Sequence, residues 1–131
     1  MTYLLDSDVT LARATPDHPH YETAVAWLRR HPRFAVCPIT EGALVRASFR
    51  APGGGHRLAD YALRTLASLP GYEFWPDDLS YGSVDLSRLT GHKQITDAYL
   101  VALANAHGGR LVTFDRALVA VHPEAILVPT A

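Results

Sequence analysis

The sequence predicts an α/β domain: a mostly parallel sheet with helices on both faces. Three observations predict it. Short β-prone apolar runs alternate with longer stretches of helical period along the whole chain, the order that crossover connections impose. With 131 residues, 48% of them hydrophobic and 19% charged, the chain is about one domain long and can bury a core without staples. No apolar run approaches the ~20 residues of a membrane span, and no secretory pattern precedes the acidic Asp6 and Asp8. The lone cysteine, Cys37, has no internal partner and suits a reducing, cytoplasmic setting.

Each element follows in order. Thr2 to Leu5 reads as a buried strand ending at Asp6. Val9 to Ala14 reads as a short helix stopped by Pro16. His18 to Arg30 places Tyr21, Ala24, Val25 and Leu28 at i, i+3, i+4, i+7, an amphipathic helix. Phe34 to Cys37 is a second strand closed by Pro38. Thr40 offers an N-cap for a helix from Glu41 to about Phe49, and Ala51 to Gly55 is an inter-helix loop. Leu58 to Leu69 is a helix with Leu58, Tyr61, Ala62, Leu66 and Leu69 on one side. Tyr72 to Trp75 is a third strand, and Asp77 to Thr90 is poorly patterned. Thr96 caps a helix to His107, stopped by Gly108-Gly109. Leu111 to Phe114 is a fourth strand, Arg116 to Val121 a short helix, and Ile126 to Val128 a last strand.

The charge balance excludes little. Twelve basic residues oppose thirteen acids, so net charge carries no nucleic-acid footprint. The placement of the acids says more. Asp6 and Asp115 follow strands, while Glu41 and Asp97 sit in the first turns of helices. In an open parallel sheet all four positions lie at the carboxyl edge, where ligands bind. Glu41 shares a stripe with Leu44, Val45 and Ser48, and Asp97 with Leu100, Val101 and Ala104, which turns both inward. A first-turn acid also stabilises the helix macrodipole, and that alone accounts for Glu41 or Asp97 taken singly. The joint pattern demands more. Two carboxylates ~5 Å apart repel by roughly 3 kcal/mol at an effective dielectric near 20, a heavy load for a domain stable by about 5–15 kcal/mol. Either the four stand apart or cations sit among them. Oxygen ligands without a Cys or His cluster favour Mg²⁺ or Mn²⁺, which activate water and clamp phosphodiester oxygens.

At these residues the chain resembles the PIN-domain ribonucleases, most closely the VapC-type toxins of toxin–antitoxin pairs. The matching segments are Tyr3 to Val9, Cys37 to Arg46, Gln94 to Ala104 and Gly108 to Asp115, in the family's order and spacing. The resemblance spans essentially residues 1–131 as a single PIN domain. It implies a five-stranded parallel sheet, a pocket for Mg²⁺ or Mn²⁺, and endoribonuclease activity on single-stranded RNA. Carried over residue by residue, Asp6, Glu41, Asp97 and Asp115 match the acidic quartet. Asp6 and Asp97 match direct metal ligands, with Glu41 and Asp115 completing the site directly or through water. Thr113 matches a hydroxyl that braces the pocket, and Asp8 a polar supporting position. A homodimer and a cognate antitoxin, whose tail places an Arg among the acids, are further implications.

Other residues read more simply. The seven histidines form no ligand pattern; His18-Pro19-His20 lacks a carboxylate to finish a site. Trp27 and Trp75 read as core or dimer-face aromatics, Arg29, Arg30 and Arg33 as a solvated helix end, and Cys37 as core. Arg46, five residues past Glu41, can reach the pocket rim and hold a phosphate. Two other functions compete. Leu4 to Val9 also resembles the aspartyl-nucleophile motif of haloacid-dehalogenase-type phosphatases, with Asp6 attacking phosphate; Lys93 is the only lysine and no late acidic pair follows. A catalytically silent RNA-binding module would have lost an acid, yet all four positions are filled.

Overall fold

Residues of period two build the sheet. In each central strand one apolar side chain goes to each face: Leu4 against Leu5, and Leu111 against Val112, all essentially sealed from solvent. The computed structural model describes residues 1–130. Its strands are β1 (Tyr3–Leu5), β2 (Phe34–Val36), β3 (Tyr72–Phe74), β4 (Arg110–Thr113) and β5 (Ile126–Leu127). All pairings are parallel, in the order β3-β2-β1-β4-β5. The expected five-stranded parallel sheet is therefore present.

Helices cover both faces. On one lie α1 (Ser7–Ala14), α2 (Tyr21–Arg30), α3 (Pro38–Arg50) and α4 (His56–Ala67), whose Val9, Leu28, Leu44 and Leu66 pack on Leu5, Val36 and Val112. On the other, α5 (Ile95–Ala106) and α6 (Arg116–Val121) bring Leu100, Leu103 and Leu118 onto Leu4, Ala35 and Leu111. Each such leucine contributes roughly 2 kcal/mol by leaving water. No helix among the described residues is long and apolar enough to cross a membrane.

Several boundaries differ from the sequence reading, each for a local reason. The first helix begins at Ser7 because the Asp6 side chain accepts from the Ser7 N–H at 2.8 Å and caps it. Residues 18–20 form a turn, and α2 begins only at Tyr21. The third helix starts at Pro38, which needs no amide partner at a first helical position. Thr40 is thus inside that helix; its hydroxyl accepts from the Cys37 N–H at 3.1 Å. On α4 the buried stripe is Ala59, Ala62 and Leu66, leaving Leu58 41% and Tyr61 70% exposed. The period was legible, but the seam lies to one side of the larger residues. Of the unpatterned stretch, Tyr81–Ser83 makes one 3₁₀ turn. A second such turn, His92–Gln94, leads into α5, so Gln94 and not Thr96 precedes that helix.

The loop between α3 and α4 requires its glycines. Gly53 has φ +70° and Gly55 φ +149°, and a Cβ on Gly54 would lie 2.0 Å from the Ser48 carbonyl oxygen.

Candidate active site

The strand order creates the crevice. From β1 the chain travels outward through β2 to β3, then returns to β4 on the other side of β1. Beyond the carboxyl ends of β1 and β4 the connections diverge, which leaves a gap where ligands bind in such sheets. The Asp6 N–H donates to the Val112 carbonyl at 2.9 Å, carrying the ladder one residue past β1. Asp6 therefore emerges beside Thr113. The Thr113 hydroxyl donates to Asp6 Oδ2 at 2.7 Å and accepts the Asp115 N–H at 3.1 Å. In the first turn of α1, Asp8 Oδ2 accepts the Phe114 N–H at 3.2 Å. Asp115 caps α6, its Oδ1 accepting from the N–H groups of Ala117 and Leu118 at 2.9 and 3.3 Å.

Charge is concentrated here and poorly compensated. Asp6 is only 8% exposed. Burial raises its pKa, the bonds from Thr113 and Ser7 oppose that rise, and the Asp115 charge adds to it. Asp8 is pushed up to about 7, first by burial and then by Asp6. Its Oδ1 is sealed from solvent and has no hydrogen-bond partner. Asp97 is pushed up to about 6 by burial and by the charges of Asp6 and Asp115. The ion pairs among the described residues involve Arg33, Arg88, His107 and His122, and none reaches these acids. A cleft of about 180 Å³ lined by Asp97, Asp115, Gln94 and His122 opens beside them.

Four acids thus share one field: Asp6, Asp8, Asp97 and Asp115. Glu41, on the first turn of α3, does not share it. Burial raises its pKa, and its charge acts on the Tyr72 phenol. Arg46 is exposed; its Nη1 stands 3.5 Å from where a Cβ on Gly42 would be, along its own helix.

The residues suit a hard divalent cation. Among the described residues no three His, Cys, Asp or Glu side chains stand close enough to form a ready-made metal cage. Mutual repulsion favours that spacing in carboxylates with no cation among them. The donors are nevertheless all oxygen, and the buried Asp8 Oδ1 has no hydrogen-bond partner, a need that an ion's water or a bound proton would meet. Sequence reasoning gave Asp8 a minor place and missed the Phe114 N–H and His122. The first had a signal, an acid two residues past a strand-end acid. A backbone amide and a buried histidine had none.

A PIN-domain family model matches residues 3–122. Ribonuclease VapC29 of Mycobacterium tuberculosis is 40% identical, over 99% of this chain and 98% of that protein. Ribonuclease VapC39 of the same organism is 40% identical, over 90% of this chain and 91% of that protein. Among solved structures, VapBC2 of Rickettsia felis bound to a promoter DNA fragment superposes with a TM-score of 0.67. It covers 97% of both chains at 18% identity and so supports the fold alone. Family match, near full-length identity and shared architecture agree: the chain belongs to the PIN-domain family, and its relatives are proteins of the VapC type.

Proposed function

We propose that this chain is a Mg²⁺- or Mn²⁺-dependent endoribonuclease and the toxin half of a toxin–antitoxin pair. The observation that carries the reading is the shared field of Asp6, Asp97 and Asp115 at the gap between β1 and β4, which no ion pair among the described residues reaches. Asp6 and Asp97 would hold the ion directly and Asp115 would complete its surroundings directly or through water, while Glu41, outside the shared field, would reach the ion only through water. When bound, the ion supplies Lewis-acid activation of water and neutralises the phosphate. Thr113 orients Asp6 through its short hydrogen bond, and Asp8 can hold a proton at Oδ1 near neutrality. Hydrolysis leaves 5′-phosphate and 3′-hydroxyl ends. Arg46, exposed midway along α3, would contact the RNA backbone.

The same uncompensated acids suit a cognate antitoxin that lays an Arg guanidinium among them, replacing the cation's charge. The active form is a cytoplasmic homodimer. The phosphatase reading gains nothing: Lys93 is exposed and pairs with none of the acids, and the matched family is another one. Purified protein incubated with unstructured RNA is expected to cut it in Mg²⁺ or Mn²⁺ and to stop in EDTA. Asp6→Asn and Asp97→Asn are each expected to lower cleavage at least about a thousandfold while the protein stays folded. Undiminished metal-dependent cleavage in both variants refutes the assigned ligands.

A further inference from the structure

We propose that His18 and His20 extend an aromatic surface from Phe114 at the rim of the acidic crevice, and that this surface stacks a base of single-stranded RNA beside the cleaved phosphate. The inference rests on the ribonuclease reading and deepens it, because acids and a cation engage the phosphate but read no base.

Topology puts these rings at the right edge. Since β2 runs parallel to β1, α2 must carry the chain from the carboxyl edge of the sheet back to its amino edge. Both ends of α2 mark this course. The His31 ring, just past its last turn, lies 5.5 Å from Tyr3, the first residue of β1. The His20 ring, just before its first turn, lies 5.4 Å from Phe114, the residue after β4. Phe114 stands between Thr113 and Asp115, and its N–H holds Asp8. Its ring packs on the side of the sheet that α1–α4 cover, so the aromatic surface starts one residue from the acid-bearing strand end and runs along the α2 side of that edge.

The turn leaves both imidazoles available. His20 occupies the position that caps α2, yet its side chain makes no capping bond. Its backbone N–H donates instead to His18 Nδ1 at 3.0 Å, which fixes the first ring and, in the neutral form, leaves the proton on Nε2. Pro16 and Pro19 restrict the backbone on either side of His18. The His18 and His20 rings are 5.8 Å apart and tilted by 48°, and His20 is tilted by 51° to Phe114. Neither pair is stacked face to face, and both histidines are part-exposed. Single-stranded RNA is commonly read by stacking its splayed bases on Phe, Tyr, Trp or His.

The test uses the full chain and a short unstructured RNA of mixed sequence whose cleavage position has been mapped. His20→Ala is expected to raise KM roughly tenfold, the usual loss of one stacked base, with kcat unchanged and thermal melting still cooperative. His20→Phe restores KM, because the ring and not the imidazole nitrogens is used. An abasic nucleotide at one position beside the cleaved bond removes the difference between wild type and His20→Ala. Unchanged KM in His20→Ala, failure of the Phe variant to rescue it, or a difference that survives abasic substitution at every flanking position overturns the stacking surface. A wild-type protein that cuts no RNA in Mn²⁺ overturns the nuclease reading and this inference with it, so the two failures are told apart.

Discussion

Thr113 Oγ1 carries one proton and faces two carboxylates, Asp6 Oδ2 at 2.7 Å and Asp8 Oδ2 at 3.4 Å. The shorter contact takes the proton, so Asp6 is the acid that this residue orients. The side chain is wholly buried, and water cannot replace a lost hydroxyl there. Thr113→Val keeps the shape and removes the donor, which pushes the Asp6 pKa higher still and loosens its rotamer. Groups that orient a metal ligand typically carry ten- to a hundredfold in affinity or activity. A Mn²⁺ titration by calorimetry is therefore expected to show weakening of about that size in Thr113→Val and near-normal binding in Thr113→Ser. Equal affinity in all three proteins would mean that Asp6 is placed by the Ser7 N–H alone.

At the scale of elements, the start of α3 decides where Glu41 sits. Cys37 and Thr40 satisfy one another across the first turn: the Cys37 N–H donates to Thr40 Oγ1, and that hydroxyl donates to the Cys37 carbonyl, each at 3.1 Å. Thr40→Val breaks both bonds inside a sealed environment. It is expected to lower stability by about 1–2 kcal/mol in urea unfolding, with Thr40→Ser losing less than half of that. The same turn shows what was legible beforehand. Short apolar runs, helical period and cap or stop residues together located the five strands and six α-helices, because Leu4-Leu5 or Leu111-Val112 can face two ways only within a covered sheet, whereas the 3₁₀ turns at Tyr81–Ser83 and His92–Gln94 carried no such signal. Helix starts were less legible, since Pro38 as a first residue and Thr40 as an inner partner look the same in sequence as a cap at Thr40. That Asp6, Asp97 and Asp115 feel one another's charge followed from two strand ends, one inward first-turn position and parallel order. The separate field of Glu41 did not, because a first-turn position fixes a side chain's height above the sheet but not its sideways reach.

Over the whole molecule, the acids make stability depend on pH in an unusual direction. Asp8 at about 7, Asp97 at about 6 and the raised Asp6 all exceed the ordinary aspartate value of 3.8. Between about pH 4 and 7 the folded chain therefore holds protons that the unfolded chain has released, and stability falls as pH rises through that window. His122 works against this trend, since burial lowers its pKa below 6.5 and its share of stability is lost on acidification. It is one group against four, because burial raises Glu41 as well. Below about pH 4.5 the trend reverses, because Glu73 and Glu124 have lowered values and protonating them removes their favourable contacts. The metal-free protein is accordingly expected to melt highest near pH 5 and roughly 5–10 °C lower at pH 8. Millimolar Mn²⁺ raises the melting temperature at pH 8 by mass action and much less at pH 5, where protons already occupy the carboxylates. Asp8→Asn flattens the profile by removing the largest contributor, and it raises the pH 8 value of the metal-free protein. A melting temperature that climbs steadily from pH 5 to pH 8 without metal would show that these carboxylates are solvated and separate. The assignment of a cation to this crevice would then lose its physical basis.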